Sequence, residues 1–455
     1  MAFDRVVQTD EKLPILQALP LSAQHLMAMF GATVLVPYLT GLNPGIGLMT
    51  SGIGTIIYLI CVRNKIPSFL GSSFAFIAPL IAVGGGALNG VALHPERIPF
   101  ALGGLVAAGV VYMIVAGIVK LFGTGWLNKL LPPALVGAVV IVIGLGLSAA
   151  AIKMALYPGS DPTKGVNLVF VLVAFLTLAS AVVFSSFFKG FTKTIPILLG
   201  IIVGYVVCLF IPGMVNFKPV IDAAWVGLPP ITLPKFDFSA IAIIAPVALV
   251  VIVEHIGHLL VINEITGKDF TPMLPESLFG DGVATAISGL LGGTPSTTYA
   301  ENIGVMAVTK VYSTQLFWYA GALAILVGGF VPKLSALISS IPTPVMGGIS
   351  LLLFGLIASS GLRLLVKSGI DFGHTRNLIM TSVVLVVGIG METGGFTIPL
   401  GRYTIPGMTL AALLGVLLNL VLPKESEGIA VDSPDFSGEL QAESAQDASA
   451  PAADK

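Results

Sequence analysis

Gly292-Gly293-Thr294-Pro295-Ser296-Thr297-Thr298-Tyr299-Ala300-Glu301-Asn302 is a polar break in an otherwise apolar stretch of chain. Its segment Thr297–Ala300 favours extended backbone over helix. Glu301 then opens an apolar helical run. A second break, Gly71-Ser72-Ser73-Phe74-Ala75-Phe76-Ile77-Ala78-Pro79, has the same character, with Ser73–Ile77 read as extended. Extended backbone at membrane depth is tolerated only where protein buries it or where it lines a cavity. Pro79 and Glu301 then each stand at the start of a half-helix, beside backbone N–H groups that lack helical partners.

The rest of the sequence makes the membrane reading compulsory. Of 455 residues, 55% are hydrophobic and only 10% charged, against about 25% charged in soluble domains. So few charges cannot solvate a water-exposed surface. Soluble enzymes are excluded, and a net charge of −1 without a basic patch excludes nucleic acid as a partner. The two cysteines, Cys61 and Cys208, lie in apolar runs, which excludes a disulfide scaffold. Met1–Lys12 lacks the pattern of a secretory signal. The stretch 424–455 holds eight of the 23 acids, has no apolar periodicity and reads as a disordered acidic cytoplasmic tail.

The apolar body divides into about fourteen spans at ~20 residues each. With the N-terminus placed in the cytoplasm, 15 of the 22 Lys and Arg fall inside, which supports cytoplasmic placement of both termini. The halves also repeat. Leu131-Pro132-Pro133-Ala134-Leu135-Val136-Gly137 parallels Ile341-Pro342-Thr343-Pro344-Val345-Met346-Gly347; Gln24-His25-Leu26 parallels Glu254-His255-Ile256; Ser51–Thr55 parallels Asp281–Thr285. Each half has an odd number of spans, so the two are inverted. The expected fold is an all-α polytopic membrane protein of two inverted seven-segment repeats, with short extended segments near 73–77 and 297–300 at the midplane. Broken spans in matching positions of two halves point to a midplane substrate site.

Glu254 lies deep in the run Ala240–Ile265, and His258 shares its helical face at i, i+4. A carboxylate there is costly unless it faces a partner or a cavity, so it marks function. Desolvation penalises its charged form, which makes Glu254, with His258, a candidate for carrying a proton. Glu301 is favoured by the dipole of the half-helix it opens. Phe74 and Tyr299 offer flat rings that can stack on a planar ligand, although an aromatic in a buried segment more often serves packing. His255 and His25 read as helix contacts, His94 and His374 as loop residues, and Glu264 as a solvated acid near the cytoplasmic helix end. Glu254-His255-x-x-His258 lacks the further ligands of a closed zinc site, so no metal and no other cofactor are expected.

Glu301-Asn302-Ile303-Gly304-Val305-Met306-Ala307-Val308-Thr309-Lys310 resembles the signature of the nucleobase–ascorbate (nucleobase:cation symporter-2) transporters. Gln24–Pro37, Gly71–Pro79, Glu254–His258 and Pro344–Leu353 resemble the bacterial uracil permeases of that family, and the resemblance spans about residues 14–423. It implies a non-enzymatic permease of the inner (plasma) membrane that imports uracil by proton symport. The implied partners are uracil, the proton and the lipid bilayer, with homodimer formation left open. The implied organisation is a cytoplasmic segment 1–14, a core from 15–130 and 214–335 (the latter including an extracellular loop), a gate from 131–213 and 336–423, and the tail 424–455. In the family, carboxylates matching Glu254 and Glu301 bind the pyrimidine, backbone N–H groups matching Phe74 and Ala300 meet its carbonyls, and the histidine matching His258 assists. Two positions depart from close relatives. Ala300 stands where Gly is common, and Phe354, on the gate side, stands where some have Tyr. A purine or broader nucleobase permease is the alternative within the family; an intramembrane enzyme and an anion transporter are the rivals outside it.

Overall fold

A computed structural model describes residues 5–88 and 90–423; the expected acidic tail lies outside them. The chain is mostly helical. Its principal helices are α1 (Ile15–Thr40), α2 (Pro44–Cys61), α3 (Ile77–Gly84), α4 (Ile98–Phe122), α5 (Pro133–Gly146), α6 (Leu168–Phe187), α7 (Pro196–Leu209), α8 (Val247–Thr266), α9 (Leu274–Leu291), α10 (Ala300–Thr309), α11 (Thr314–Phe330), α12 (Thr343–Lys367), α13 (Thr375–Gly394) and α14 (Gly407–Val421). Among the described residues, eight helices are long and apolar enough to cross a membrane, or nine if α11 and the helix Pro332–Ser339, bent by 82° from it, form one span. Shorter apolar helices, including α7 and α14, accompany them. Helix α9 falls short on hydropathy because Glu276, Asp281 and three glycines dilute it, yet most of it is buried.

Packing sorts the helices into two groups. Helices α1, α2, α4, α9 and α11 pack on one another, with α9 against both α2 and α4. Helix α12 packs against α5 and α6, α13 against α14 and α5, and α7 against α6. The repeated proline motifs start helices in the same way in both halves. Pro132 and Pro342 are extended N-caps, at φ −65°, ψ 153° and φ −63°, ψ 144°, and α5 and α12 follow directly. These two helices then pack together.

Helices approach closely where glycine removes the side chain. A Cβ on Gly109 of α4 would stand 2.6 Å from both the Ala286 nitrogen and the Gly282 oxygen of α9. Both are backbone atoms, so nothing flexible can yield. Gly109→Ala is expected to force α4 and α9 apart and destabilise the protein by ~1–3 kcal/mol, read as a lower melting temperature in detergent; an unchanged melting curve would contradict this packing.

The polar breaks form a two-stranded antiparallel ladder. Strand β1 (Leu70–Ser72) pairs with β2 (Ser296–Thr298) in the register Leu70↔Thr298, Gly71↔Thr297, Ser72↔Ser296. The first extended segment is thus a correction. It covers 70–72 rather than 73–77, and Phe74–Phe76 already coil into a 3-10 turn. The physical reason lies in the partner strand: the Ser73 N–H donates to the Pro295 carbonyl at 2.9 Å, but Pro295 has no N–H to continue the ladder. The second segment covers 296–298 rather than 297–300, with Tyr299 still extended and Ala300 already helical.

The N-terminal segment braces the far end of α10. The Val7 N–H donates to the Lys310 carbonyl at 3.0 Å and the Tyr312 N–H donates to the Val7 carbonyl at 2.8 Å. Lys268, just past α8, donates to Thr9 Oγ1 at 2.8 Å and Asp10 Oδ1 at 3.0 Å. One strap therefore ties the ends of α8 and α10.

Candidate substrate site

Strands β1 and β2 run antiparallel, so the helical segments that follow them leave the ladder at opposite ends. Helix α8 lies across this junction and packs against β2, α10 and the Phe74–Phe76 turn. That crossing brings Glu254 and His258 to the same junction as Phe74, Thr298 and Glu301.

Glu301 is half-buried in the first turn of α10, and Ala300, its first residue, is exposed. Glu254 and His258 are half-buried. Neither Glu254 nor Glu301 takes part in a salt bridge among the described residues. These two carboxylates, without salt bridges among the described residues, lie on elements that pack together at the start of α10. Such a place accepts from ring N–H donors and donates to carbonyls, which is the pattern of a neutral planar amide-like ring. His258 Nδ1 lies 2.9 Å from Thr298 Oγ1, which fixes the ring against β2.

Phe74 is half-buried, and its ring meets that of Phe354 edge-on, with centroids 6.3 Å apart and planes at 85°. Phe354 is buried on α12, in the other packing group. The two aromatic residues therefore close one side of the junction across the seam between groups. The same seam holds a small apolar cavity of about 30 Å³, lined by Ala75, Pro246 and Val250 on one side and by Leu135, Val139 and Met408 on the other.

Tyr299 is placed differently from the stacking expectation. Its hydroxyl donates to the Ser72 carbonyl at 2.7 Å, and its ring fills the space that a side chain at Gly71 would need, 2.5 Å from the position of the absent Cβ. The ring locks the two strands together; any Ala would drive it out.

The second break is partly tied into the protein, while the buried Thr297 Oγ1 has no hydrogen-bond partner among the described residues. Thr294 Oγ1 lies 2.6 Å from Ser72 Oγ, and the Thr294 carbonyl accepts from Ser288. Thr285 Oγ1 donates to the Ser296 carbonyl at 3.1 Å. His25 is a helix contact as expected: its carbonyl accepts from Asn302 Nδ2 at 3.0 Å, and its ring packs on Phe317. His94 and His374 lie outside the helices, beside Glu96 and Asp371. Glu264 is exposed and reaches Lys367 of α12 at 3.4 Å.

Asp281 was not among the expected site residues. It is fully buried on α9, with its Oδ2 2.7 Å from His255 Nδ1. The sequence signal was an acid set between Gly280 and Gly282 in a small-residue run, beside no visible partner.

The model of the Permease family matches residues 16–395. The uracil permease of Bacillus subtilis is 48% identical over 419 residues, covering 89% of this chain and 92% of its own. That of Escherichia coli K12 is 46% identical, covering 92% of this chain and 94% of its own. Among solved structures, the transmembrane domain of the cyanobacterial bicarbonate transporter BicA superposes with a TM-score of 0.60 at 14% identity, covering 91% of this chain and all of that one. The murine Slc26a9 anion transporter in its inward-facing state gives 0.67 at 11% identity, covering 90% of this chain and 69% of that one. These likenesses show the fold. The family match and the identities together establish that this chain is a multi-pass membrane permease of the nucleobase–ascorbate transporter family.

Proposed function

We propose that this chain imports uracil across the cell membrane by proton symport, with alternating access. The observation that carries this reading is the junction of β1, β2 and α8, where Glu254 and Glu301 have no salt-bridge partner among the described residues. Uracil alternates ring N–H donors with carbonyl acceptors, which carboxylates and backbone N–H groups match one for one. The names of relatives at 46–48% identity point to the same substrate. In this reading Glu254, Glu301 and His258 hold the ring's polar edge, backbone N–H groups near Phe74 and Ala300 meet its carbonyls, and the Phe74 ring covers a face.

The transporter has fourteen spans as two inverted repeats, with both termini in the cytoplasm. The packing group of α1, α2, α4, α9 and α11 belongs to the core, together with the broken segments and α8; the α5–α7 and α12–α14 group is the gate. Glu254, a carboxylate with no salt bridge among the described residues on a membrane-spanning helix, is the group that favours the proton over sodium as the coupling ion.

Uptake of radiolabelled uracil into proteoliposomes, with unlabelled nucleobases as competitors, tests the substrate. Uracil is expected to compete most strongly; xanthine or urate competing as well as uracil would move the assignment to the purine permeases. A second prediction concerns the gate. Ala300→Cys and Phe354→Cys, in protein with Cys61 and Cys208 replaced by Ser and joined by a short bifunctional reagent, should fix core to gate. Such protein is expected to bind uracil from one side and to lose turnover, because alternating access moves one bundle against the other. Full turnover with complete crosslinking would refute rocking.

A further inference from the structure

Behind the junction lies a polar chain with a defined direction. Asp281 Oδ2 is 2.7 Å from His255 Nδ1, both residues being essentially inaccessible to solvent, and neither carboxylate oxygen has another hydrogen-bond partner among the described residues. His255 Nε2 is 2.7 Å from Ser277 Oγ, which is 2.8 Å from the Tyr58 hydroxyl. Thr298 Oγ1 stands between the two histidines, 3.5 Å from His255 Nδ1 and 2.9 Å from His258 Nδ1.

The protons follow from the inventory of donors. Taken as ionised, the Asp281 carboxylate only accepts, which puts the His255 proton on Nδ1. With that ring neutral, Nε2 accepts from Ser277, and Ser277 in turn accepts from Tyr58; every hydroxyl then donates once. Since His255 Nδ1 already bears a proton, Thr298 cannot donate to it. Within this chain the acceptor left for the Thr298 hydroxyl hydrogen is His258 Nδ1, 2.9 Å away, and that arrangement puts the His258 proton on Nε2.

We infer that Asp281 and His255 are a positioning pair that, through Thr298, holds His258 in its Nε2–H form. His258 then presents a donor, rather than a lone pair, to the site. The inference rests on the proposed reading only in taking His258 to border the substrate, where an Nε2–H suits a pyrimidine carbonyl. A carboxylate that orients a histidine in this way sets which nitrogen is available for chemistry, and its replacement by an amide allows the wrong tautomer.

The test is a solid-state NMR spectrum of protein labelled with ¹⁵N-histidine, taken without substrate in lipid. The chain has five histidines, and His258→Gln identifies the signal by its loss. The unmodified protein is expected to show His258 as a single neutral Nε2–H form. Asp281→Asn should convert it to a mixture of the two neutral forms, and Thr298→Val, which deletes the linking hydroxyl, should do the same with Asp281 and His255 intact. Uracil affinity should fall roughly tenfold in each variant, the size of one impaired hydrogen bond. If Asp281→Asn does not fold, Thr298→Val decides. A single Nε2–H form persisting in Thr298→Val overturns the inference. So does a change in Thr298→Val with none in a folded Asp281→Asn, because the carboxylate then has no part in the chain. The spectrum needs no substrate, so its failure is distinct from a failure of the unmodified protein to bind uracil.

Discussion

Glu301→Ala is expected to lose most uracil binding while folding normally. In the proposed complex the carboxylate accepts from a ring N–H. Removing it leaves that donor unmatched in a partly desolvated place, at about 1–3 kcal/mol, or roughly a 5- to 150-fold rise in Kd. Folding should tolerate the change, because Glu301 is only half-buried, takes part in no salt bridge among the described residues and lies in the first turn of α10. The loss of its favourable place at the helix start amounts to about 0.3–1 kcal/mol. Glu301→Gln keeps an acceptor oxygen and should fall between the two. Isothermal titration of purified protein separates these cases, with a melting curve as the check on folding. Wild-type affinity in well-folded Glu301→Ala would remove Glu301 from the site.

Glu301 and Glu254 stand out in the sequence and Asp281 does not, for one physical reason. A carboxylate within a long apolar run is conspicuous because the cost of placing it there is visible in the run itself. Glu254 sits among Val251, Ile252 and Val253, and His258 one turn later shares its face. Asp281 sits among glycines and small residues of α9, and its partner His255 is on α8, so only folding reveals the 2.7 Å contact. The displacement of the first strand by three residues is of the same kind. Local propensity at Ser73–Ile77 favours extension, but the ladder's end is set by Pro295, more than two hundred residues away in sequence. The ring of Tyr299 likewise belongs to a pair, since the space it fills exists only because Gly71 faces it. Periodicity and composition carry information about each segment's own cost in the membrane; register and buried pairing belong to two segments at once.

Glu254→Gln is expected to separate binding from accumulation. The amide keeps the side chain's shape and an acceptor oxygen, so uracil should still bind and exchange across the membrane. It cannot give up a proton on the cytoplasmic side, so the cycle loses its link to the gradient. The size of the loss follows from the driving force. One proton per uracil moving down a gradient of one pH unit supports about tenfold accumulation, since a factor of ten corresponds to ~1.4 kcal/mol. A potential of 100 mV adds ~2.3 kcal/mol per charge, or roughly another fiftyfold. The unmodified protein in proteoliposomes should therefore concentrate uracil under an imposed inward proton gradient, whereas Glu254→Gln should bring inside and outside to equality and stop. Counterflow of labelled against unlabelled uracil should persist in the variant, which distinguishes lost coupling from lost binding. Accumulation by Glu254→Gln that still follows pH would place the proton on another group, His258 being the nearest on the same helical face. Accumulation that follows an imposed sodium gradient and ignores pH would overturn proton symport while leaving the uracil site in place, because the recognition chemistry of Glu301 and the helix starts does not depend on which ion drives the cycle.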